Sequence, residues 1–247
     1  MNKENIKLAS TEKKYFKYLN ILSICYILPI MLAMIVENRI NVVMGITFVS
    51  GTLIVPLSYT FSDMITEVYG YAEMKRLIWA STIIMNIVAL LVFIILKVPT
   101  PDIHKDLIDN HAYQIVLSPF ARDVFGYTVS AFVGLIINSY LLSKTKIKVK
   151  GKFFALRSLA SSAIGEIIYI LIFTLLVFYG DYPLGTLVEL MLVAFAYKVI
   201  CNIVLVIPSA MAVKKLKKIE GMDNQYDVGV NYNPFKVNGK NNSSHKN

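Results

Sequence analysis

The chain has 247 residues, 56% of them hydrophobic, and its 25 Lys and Arg outnumber 16 Asp and Glu for a formal net charge of +9. A soluble protein with a few buried helices does not account for so much apolar residue gathered into six long runs, with the basic residues alternating around them. The same basic clusters, such as Lys144 to Lys152 and Lys214 to Lys218, sit beside oily segments where anionic lipid headgroups attract them, so no nucleic-acid partner is expected.

In chain order, residues 1–17 read as an N-terminal cytoplasmic segment carrying five lysines. The apolar runs then follow as Leu19–Val36, Val42–Ser62, Leu77–Leu96, Val124–Leu142, Leu159–Tyr179 and Leu187–Val213. Crossing about 30 Å of hydrocarbon at about 1.5 Å per residue takes about 20 residues, so each run is a predicted crossing. The first run has no small-residue cleavage pattern and reads as a retained helix rather than a signal peptide. Twenty of the 25 basic residues fall on one side of this path, and Arg39, Lys97, Lys105 and Arg122 on the other, with Lys198 inside a run. The positive-inside rule then predicts a multi-pass cell-membrane protein with both termini cytoplasmic. The expected fold is all-α, a polytopic bundle of six transmembrane helices with a membrane domain over residues 18–219. Residues 220–247, rich in Asn, Gly and Lys, form a cytoplasmic tail with too little apolar surface to order itself. The external connection from Lys97 to Asp123 predicts a brief surface helix at Ile103–Asn110 and a re-entrant piece near Ser118 and Pro119. Three crossings in each half make a frame for an internal repeat, but residues 19–96 and 124–213 share no sequence echo.

Charged and polar residues are costly inside a membrane, so those within the runs carry the functional argument. Glu166 costs about 2.5–3.5 kcal/mol to insert and must face protein or a wet cavity. Ser158, Ser162 and Glu166 repeat at four-residue spacing on one stripe, which suits either a polar path or close helix packing. Lys198 and Asn202 lie one turn apart, and Lys198 is the natural partner of Glu166. Asp63 and Glu67 share a face near the end of the second run; they either recognise donors or pair with Lys75 and Arg76. Pro56 predicts a break in that run, and Glu67-Val-Tyr-Gly70 a helix end followed by a restart. Asn86 suits a hydrogen bond across helices or to cargo, Arg122 an entrance or a helix-start ion pair with Asp123, and Arg157, at the inner mouth of the fifth helix, a side chain that snorkels to the headgroups. Cys25 and Cys201 both lie inside runs and have no disulfide or metal spacing. The three histidines lack ligand-spaced partners, so neither metal nor cofactor is expected. With no nucleophile and base, and no phosphate-binding glycine loop, the residues point to a small polar cargo rather than to an enzyme.

Ser62-Asp-Met-Ile-Thr-Glu-Val-Tyr-Gly70, followed by Lys75-Arg76 and Trp79, resembles the Asp-x-x-x-Glu-Val-Tyr-Gly signature of the queuosine precursor transporters, the YhhQ-related integral membrane proteins. Ser118-Pro-Phe-Ala-Arg122, Arg157-Ser-Leu-Ala-Ser-Ser162 with Glu166, and Lys198 with Pro208 and Lys214-Lys215 are similar to that family's further polar stretches. The resemblance covers residues 20–220, with Glu166 where many members carry Asp. It implies import of a 7-deazaguanine base, in its 7-cyano or 7-aminomethyl form, for tRNA modification. On that reading the substrate-binding set is Asp63, Glu67, Tyr69, Asn86, Arg122, Arg157, Ser162, Glu166, Tyr197, Lys198 and Asn202, with Tyr69 or Tyr197 stacking on the flat ring. Two other classes stay open: a substrate-binding subunit of a multi-component importer with a separate energising partner, and a structural membrane protein. The sequence also leaves open whether the chain works as a homodimer.

Overall fold

Leu19–Val36 contains no charged residue and forms the first helix, α1. A computed structural model describes the chain over residues 16–99, 110–222, 227 and 229–236. Beyond α1 the chain turns into an antiparallel hairpin of β1 (Ile40–Val43) and β2 (Ile46–Val49), in the register Ile40 to Val49 and Val43 to Ile46. A single 3-10 turn, Ser50–Leu53, leads to α2 (Val55–Tyr69). Then come α3 (Tyr71–Lys97), the short α4 (Asn110–Leu117), α5 (Phe120–Lys148), α6 (Phe154–Phe178) and α7 (Leu184–Glu220). Five helical stretches are long and apolar enough to cross a membrane: Leu19–Val36, Tyr71–Lys97, Ala112–Lys148, Phe154–Phe178 and Leu184–Glu220.

The second apolar run therefore departs from expectation. Val42–Ser62 is not one crossing helix: its first half is hairpin and 3-10 turn, and only its second half enters α2. Ile40, Val42, Val43, Ile46, Thr47 and Val49 are β-branched and favour strands, and Met44-Gly45 turns the chain with positive φ at both residues (52° and 80°). Pro56 stands at the start of α2 rather than breaking a helix, where its missing N–H costs nothing. At 15 residues α2 spans about 22 Å, short of a full bilayer core. The two strands pair only with each other, so each keeps one edge without a strand partner, and Val42, Val43 and Met44 at the tip are exposed.

Hydrogen bonds fix which helix ends meet. Glu220 at the end of α7 accepts from the Tyr18 amide (2.9 Å) and from the Tyr69 hydroxyl (3.0 Å), so the start of α1 and the ends of α2 and α7 share one face of the bundle. At the opposite face Asn38 donates to Asp123 (2.5 Å), and Arg122 reaches Asp181 (2.6 Å) and the Tyr179 carbonyl. The helix end at Tyr69 matches expectation: Gly70 has φ 92° and α3 restarts at Tyr71.

Large apolar side chains on α1, α3 and α7, among them Ile24, Ile35, Ile87, Leu91, Ile200 and Ile207, are exposed, whereas Asp63, Glu67, Glu166 and Lys198 are buried. This inside-out polarity is what a lipid solvent selects. α5 and α6 are the most closely packed pair. A Cβ on Gly134 would stand 2.7 Å from the Gly165 carbonyl oxygen, and one on Gly165 would stand 2.7 Å from that of Gly134. Rigid backbone cannot yield as a flexible side chain can. Gly134→Ala or Gly165→Ala is expected to destabilise the bundle by about 1–3 kcal/mol, read as a lowered thermal midpoint in detergent; an unchanged midpoint would mean that the helices slide apart freely.

The tail also departs from expectation over residues 229–236. Lys75 Nζ donates to the carbonyls of Asn231 (2.9 Å), Asn233 (2.9 Å) and Lys236 (2.7 Å), and Trp79 Nε1 to that of Pro234 (2.8 Å). Phe235 packs with Trp79 and Phe132, and the Lys144 ammonium lies 4.8 Å from the centre of the Tyr232 ring. Tyr232, Pro234 and Phe235 supply apolar contact that the average composition of the tail conceals. The expected surface helix near Ile103 and the N-terminal residues 1–15 lie outside the described residues.

Candidate functional site

Four helices carry polar residues at one-turn intervals on faces that meet. These are Tyr59, Asp63 and Glu67 on α2, Asn138 and Lys146 on α5, Ser158, Ser162 and Glu166 on α6, and Lys198 and Asn202 on α7. Residues four apart lie above one another on a helix. From Arg157 to Glu166 on α6 the rise is about 14 Å, which spreads the polar residues over successive levels rather than one pocket.

At the level nearest Glu220, the Glu67 carboxylate is fully buried between Arg157 Nη1 (3.0 Å) and Lys217 Nζ (2.5 Å). Lys146 Nζ donates to the Glu67 carbonyl (2.9 Å), and Arg157 also holds the carbonyls of Lys152 and Leu142. Arg157 is thus an interior residue rather than a snorkelling one. Asp63 and Glu67 do not pair with Lys75 or Arg76; Lys75 holds the tail and Arg76 holds Glu73. One level further in, Asp63 accepts from Asn138 (2.7 Å), Ser162 (2.8 Å) and Ser158. Three donors leave this carboxylate well satisfied.

The next level is different. Glu166 is completely buried; Asn202 Nδ2 donates to its Oε2 (3.1 Å), while Oε1 has no partner among the described residues. The Lys198 ammonium, 2% exposed, makes no ion pair with the expected partner Glu166. It rests 4.3 Å from the centre of the Tyr169 ring, a cation–π contact, and is attracted by both Glu166 and Glu37. Glu37, just past the end of α1, is buried with Oε2 unpaired, and Gly51 makes room for it, since a Cβ there would overlap that oxygen. Tyr59 OH is also unpaired. Buried polar groups are nearly always hydrogen-bonded, so an ammonium and three oxygens without partners at one level mark a place that is incomplete alone. A cavity of about 30 Å³ touches Glu37, Lys198 and Tyr169, space for one water and not for a base. In this conformation the expected room for a cargo is absent. Toward the Asp123 face a wider cavity of about 410 Å³ opens among Asn38, Ser118, Arg122, Asp123 and Asp181.

The structure brings Asp63, Glu67, Arg157, Ser162, Glu166, Lys198 and Asn202 into this polar interior and leaves the other expected residues outside it. Asn86 is exposed; its amide joins α3 to α5 by donating to the Thr128 hydroxyl (2.6 Å) and also donates to the Thr82 carbonyl within α3. Tyr69 faces Glu220 and Phe16, and Tyr197 donates to the Leu53 carbonyl (3.2 Å) beside the hairpin, so neither ring reaches Lys198. Arg122 is partly exposed and pairs with Asp181 rather than with Asp123. Sequence reasoning missed Glu37, Tyr169, Asn138 and Lys146. Tyr169 and Asn138 were within reach of it, because Glu166 and Tyr169 are i,i+3 on one helix and Asn138 sits inside an apolar run. No group of His, Cys, Asp and Glu fit to hold a metal ion occurs among the described residues.

A family described as "Putative vitamin uptake transporter" matches residues 49–213, about two thirds of the chain. No curated protein and no solved structure matches it.

Proposed function

The chain belongs to the "Putative vitamin uptake transporter" family, a family of transporters rather than enzymes, and we propose that it imports a 7-deazaguanine precursor of queuosine for tRNA modification. The observation that carries this reading is the buried level holding an unpaired carboxylate oxygen on Glu166 and an ammonium on Lys198 that makes no hydrogen bond. A guanine-like edge offers N1–H and a 2-amino group side by side, which one carboxylate accepts together. The cargo takes Glu166 Oε1 first and displaces the Asn202 amide from Oε2. Asn202 or Lys198 then donates to the 6-oxo group, and Tyr169 takes the stacking role expected of Tyr69 or Tyr197.

The face holding Tyr18 and Glu220 is the cytoplasmic one, because the basic runs ending α5 and α7 lie there, so both termini are cytoplasmic and the path crosses the membrane six times with α2 and its hairpin as one leg. Glu67, Arg157 and Lys217 close the cytoplasmic side, and the cavity at Asp123 opens outward. A base enters only when α7 moves off α2 and α6, so the sealed site is the closed intermediate of an alternating path.

Uptake of labelled 7-cyano-7-deazaguanine, in cells that lack precursor synthesis, tests the reading. Glu166→Gln is expected to lower uptake about tenfold to a hundredfold, and Glu166→Ala at least as much, from loss of charge-assisted hydrogen bonds. Uptake near wild type in both variants would overturn the pose. Failure of the wild-type chain to restore queuosine to tRNA, with membrane expression verified, would overturn the cargo.

A further inference from the structure

Among the described residues of the bundle interior, Glu37 and Asp123 are buried acids that neither the cargo pose nor the closing ion pairs use, and Asp123 already takes a hydrogen bond from Asn38. Asp63 has three donors, Glu67 is held by two cations, and Glu166 faces the cargo and Asn202. Glu37 lies against Gly51, where no side chain fits, with Oε2 unpartnered and the small cavity joining it to Lys198. The charged and titratable groups that face it are Lys198 of α7, Asp123 of α5 and Tyr169 of α6; the 3-10 turn contributes only Gly51. Those that face Glu166 are Lys198 on α7 and Asp63 and Tyr59 on α2. One ammonium therefore serves two carboxylates at this level.

We propose that Glu37 is the proton-carrying site of the transporter, loaded when the cargo draws the Lys198 ammonium to itself and discharged when the cargo leaves. The inference rests on the cargo reading above. With the site empty, Asn202 donates to Glu166, and the Lys198 ammonium, on the same small cavity as Glu37, is the counter-charge of Glu37. When a neutral base settles on Glu166 and its 6-oxo group takes the ammonium, Glu37 loses the nearest cation. A carboxylate buried without hydrogen bond or counter-charge is too costly to keep, so it takes up one proton and becomes a neutral acid. Asn38, the next residue, lines the outward cavity of about 410 Å³, which gives that proton a short route from the external side. Release of the base toward the cytoplasm returns Lys198 to Glu37, and the proton leaves on that side. One proton accompanies each base, so an inward proton gradient drives accumulation without an ATP-hydrolysing partner.

The full chain in liposomes, with labelled 7-cyano-7-deazaguanine, separates the two claims. Exchange of labelled for unlabelled base, with no pH difference, reads cargo recognition alone. Net accumulation with the outside one pH unit more acidic reads coupling, and one proton per base predicts about tenfold accumulation. Wild-type protein is expected to do both. Glu37→Gln is expected to keep exchange but to accumulate no base above the outside concentration. Wild-type exchange without accumulation, or accumulation by Glu37→Gln equal to wild type, overturns the proton proposal and leaves the cargo reading standing. No exchange by the wild type overturns the cargo reading and the proton proposal with it. Where Glu37→Gln does not fold, the wild-type accumulation at pH differences of zero and one decides the matter.

Discussion

Glu67→Ala is expected to destabilise the bundle by about 3–5 kcal/mol, the largest loss of any single substitution in it. Removing one partner of a buried ion pair leaves the other charge uncompensated, and that penalty exceeds the worth of the pair itself. Here two cations are stranded at once, because Arg157 is 5% and Lys217 14% exposed at the side chain and both aim at the same carboxylate. Arg157 keeps the carbonyls of Lys152 and Leu142 but loses the one carboxylate it pairs with among the described residues. Lys146 keeps the Glu67 carbonyl, which a change of side chain does not remove, so the start of the damage is electrostatic rather than a loss of helix contact. Glu67→Gln keeps the shape and one acceptor and is expected to lose less. Lys217→Ala is expected to lose less again, because Arg157 continues to neutralise Glu67. Thermal midpoints of the three purified variants in one detergent check this order. A loss below about 1 kcal/mol for Glu67→Ala would show that water reaches the cluster and screens it.

How much of this was legible in the sequence depends on whether a residue's partner is local. Five of the six apolar runs became long helices because a stretch of about 20 apolar residues in oil leaves a helix few alternatives. The sixth, Val42–Ser62, has the same average hydropathy character but is dense in β-branched residues and interrupted by Gly45, Gly51 and Pro56; those local signals, not its oiliness, decided the hairpin. Glu166, Lys198, Asn202 and Ser162 were readable as interior because charge and amide in oil must turn inward. What they touch was not readable. Lys198 settles on Tyr169, a contact between α7 and α6 that no local sequence pattern announces. Glu37 directly follows the first apolar run, and nothing in its local sequence marks it as interior. Only the hairpin folding back, with Gly51 set over its carboxyl, buries it. The tail misled in the opposite direction, since three aromatic or proline side chains among many Asn and Lys suffice to dock eight residues when Lys75 and Trp79 wait for carbonyls.

Lys198→Met is expected to leave the fold as stable as wild type, or more stable, while abolishing uptake by at least about a hundredfold. The two outcomes follow from the same fact: this ammonium is buried yet makes no hydrogen bond or ion pair among the described residues, held only over the Tyr169 ring. Exchange for Met removes the cost of burying that charge, and Met fits irregular space without branching. With the cation gone, Glu37 and Glu166 keep a proton instead, which preserves neutrality but removes both the donor for the cargo and the charge that couples the two acids. Lys198→Arg is expected to fail in uptake as well, because a planar fork does not fit where a point charge sits over a ring beside a cavity of about 30 Å³. Parallel measurement of thermal midpoint and uptake decides it. Uptake retained by Lys198→Met would remove Lys198 from the transport path. A large fall in midpoint would mean that the lysine is there to hold the helices together, and the polar level would then be architecture rather than a site.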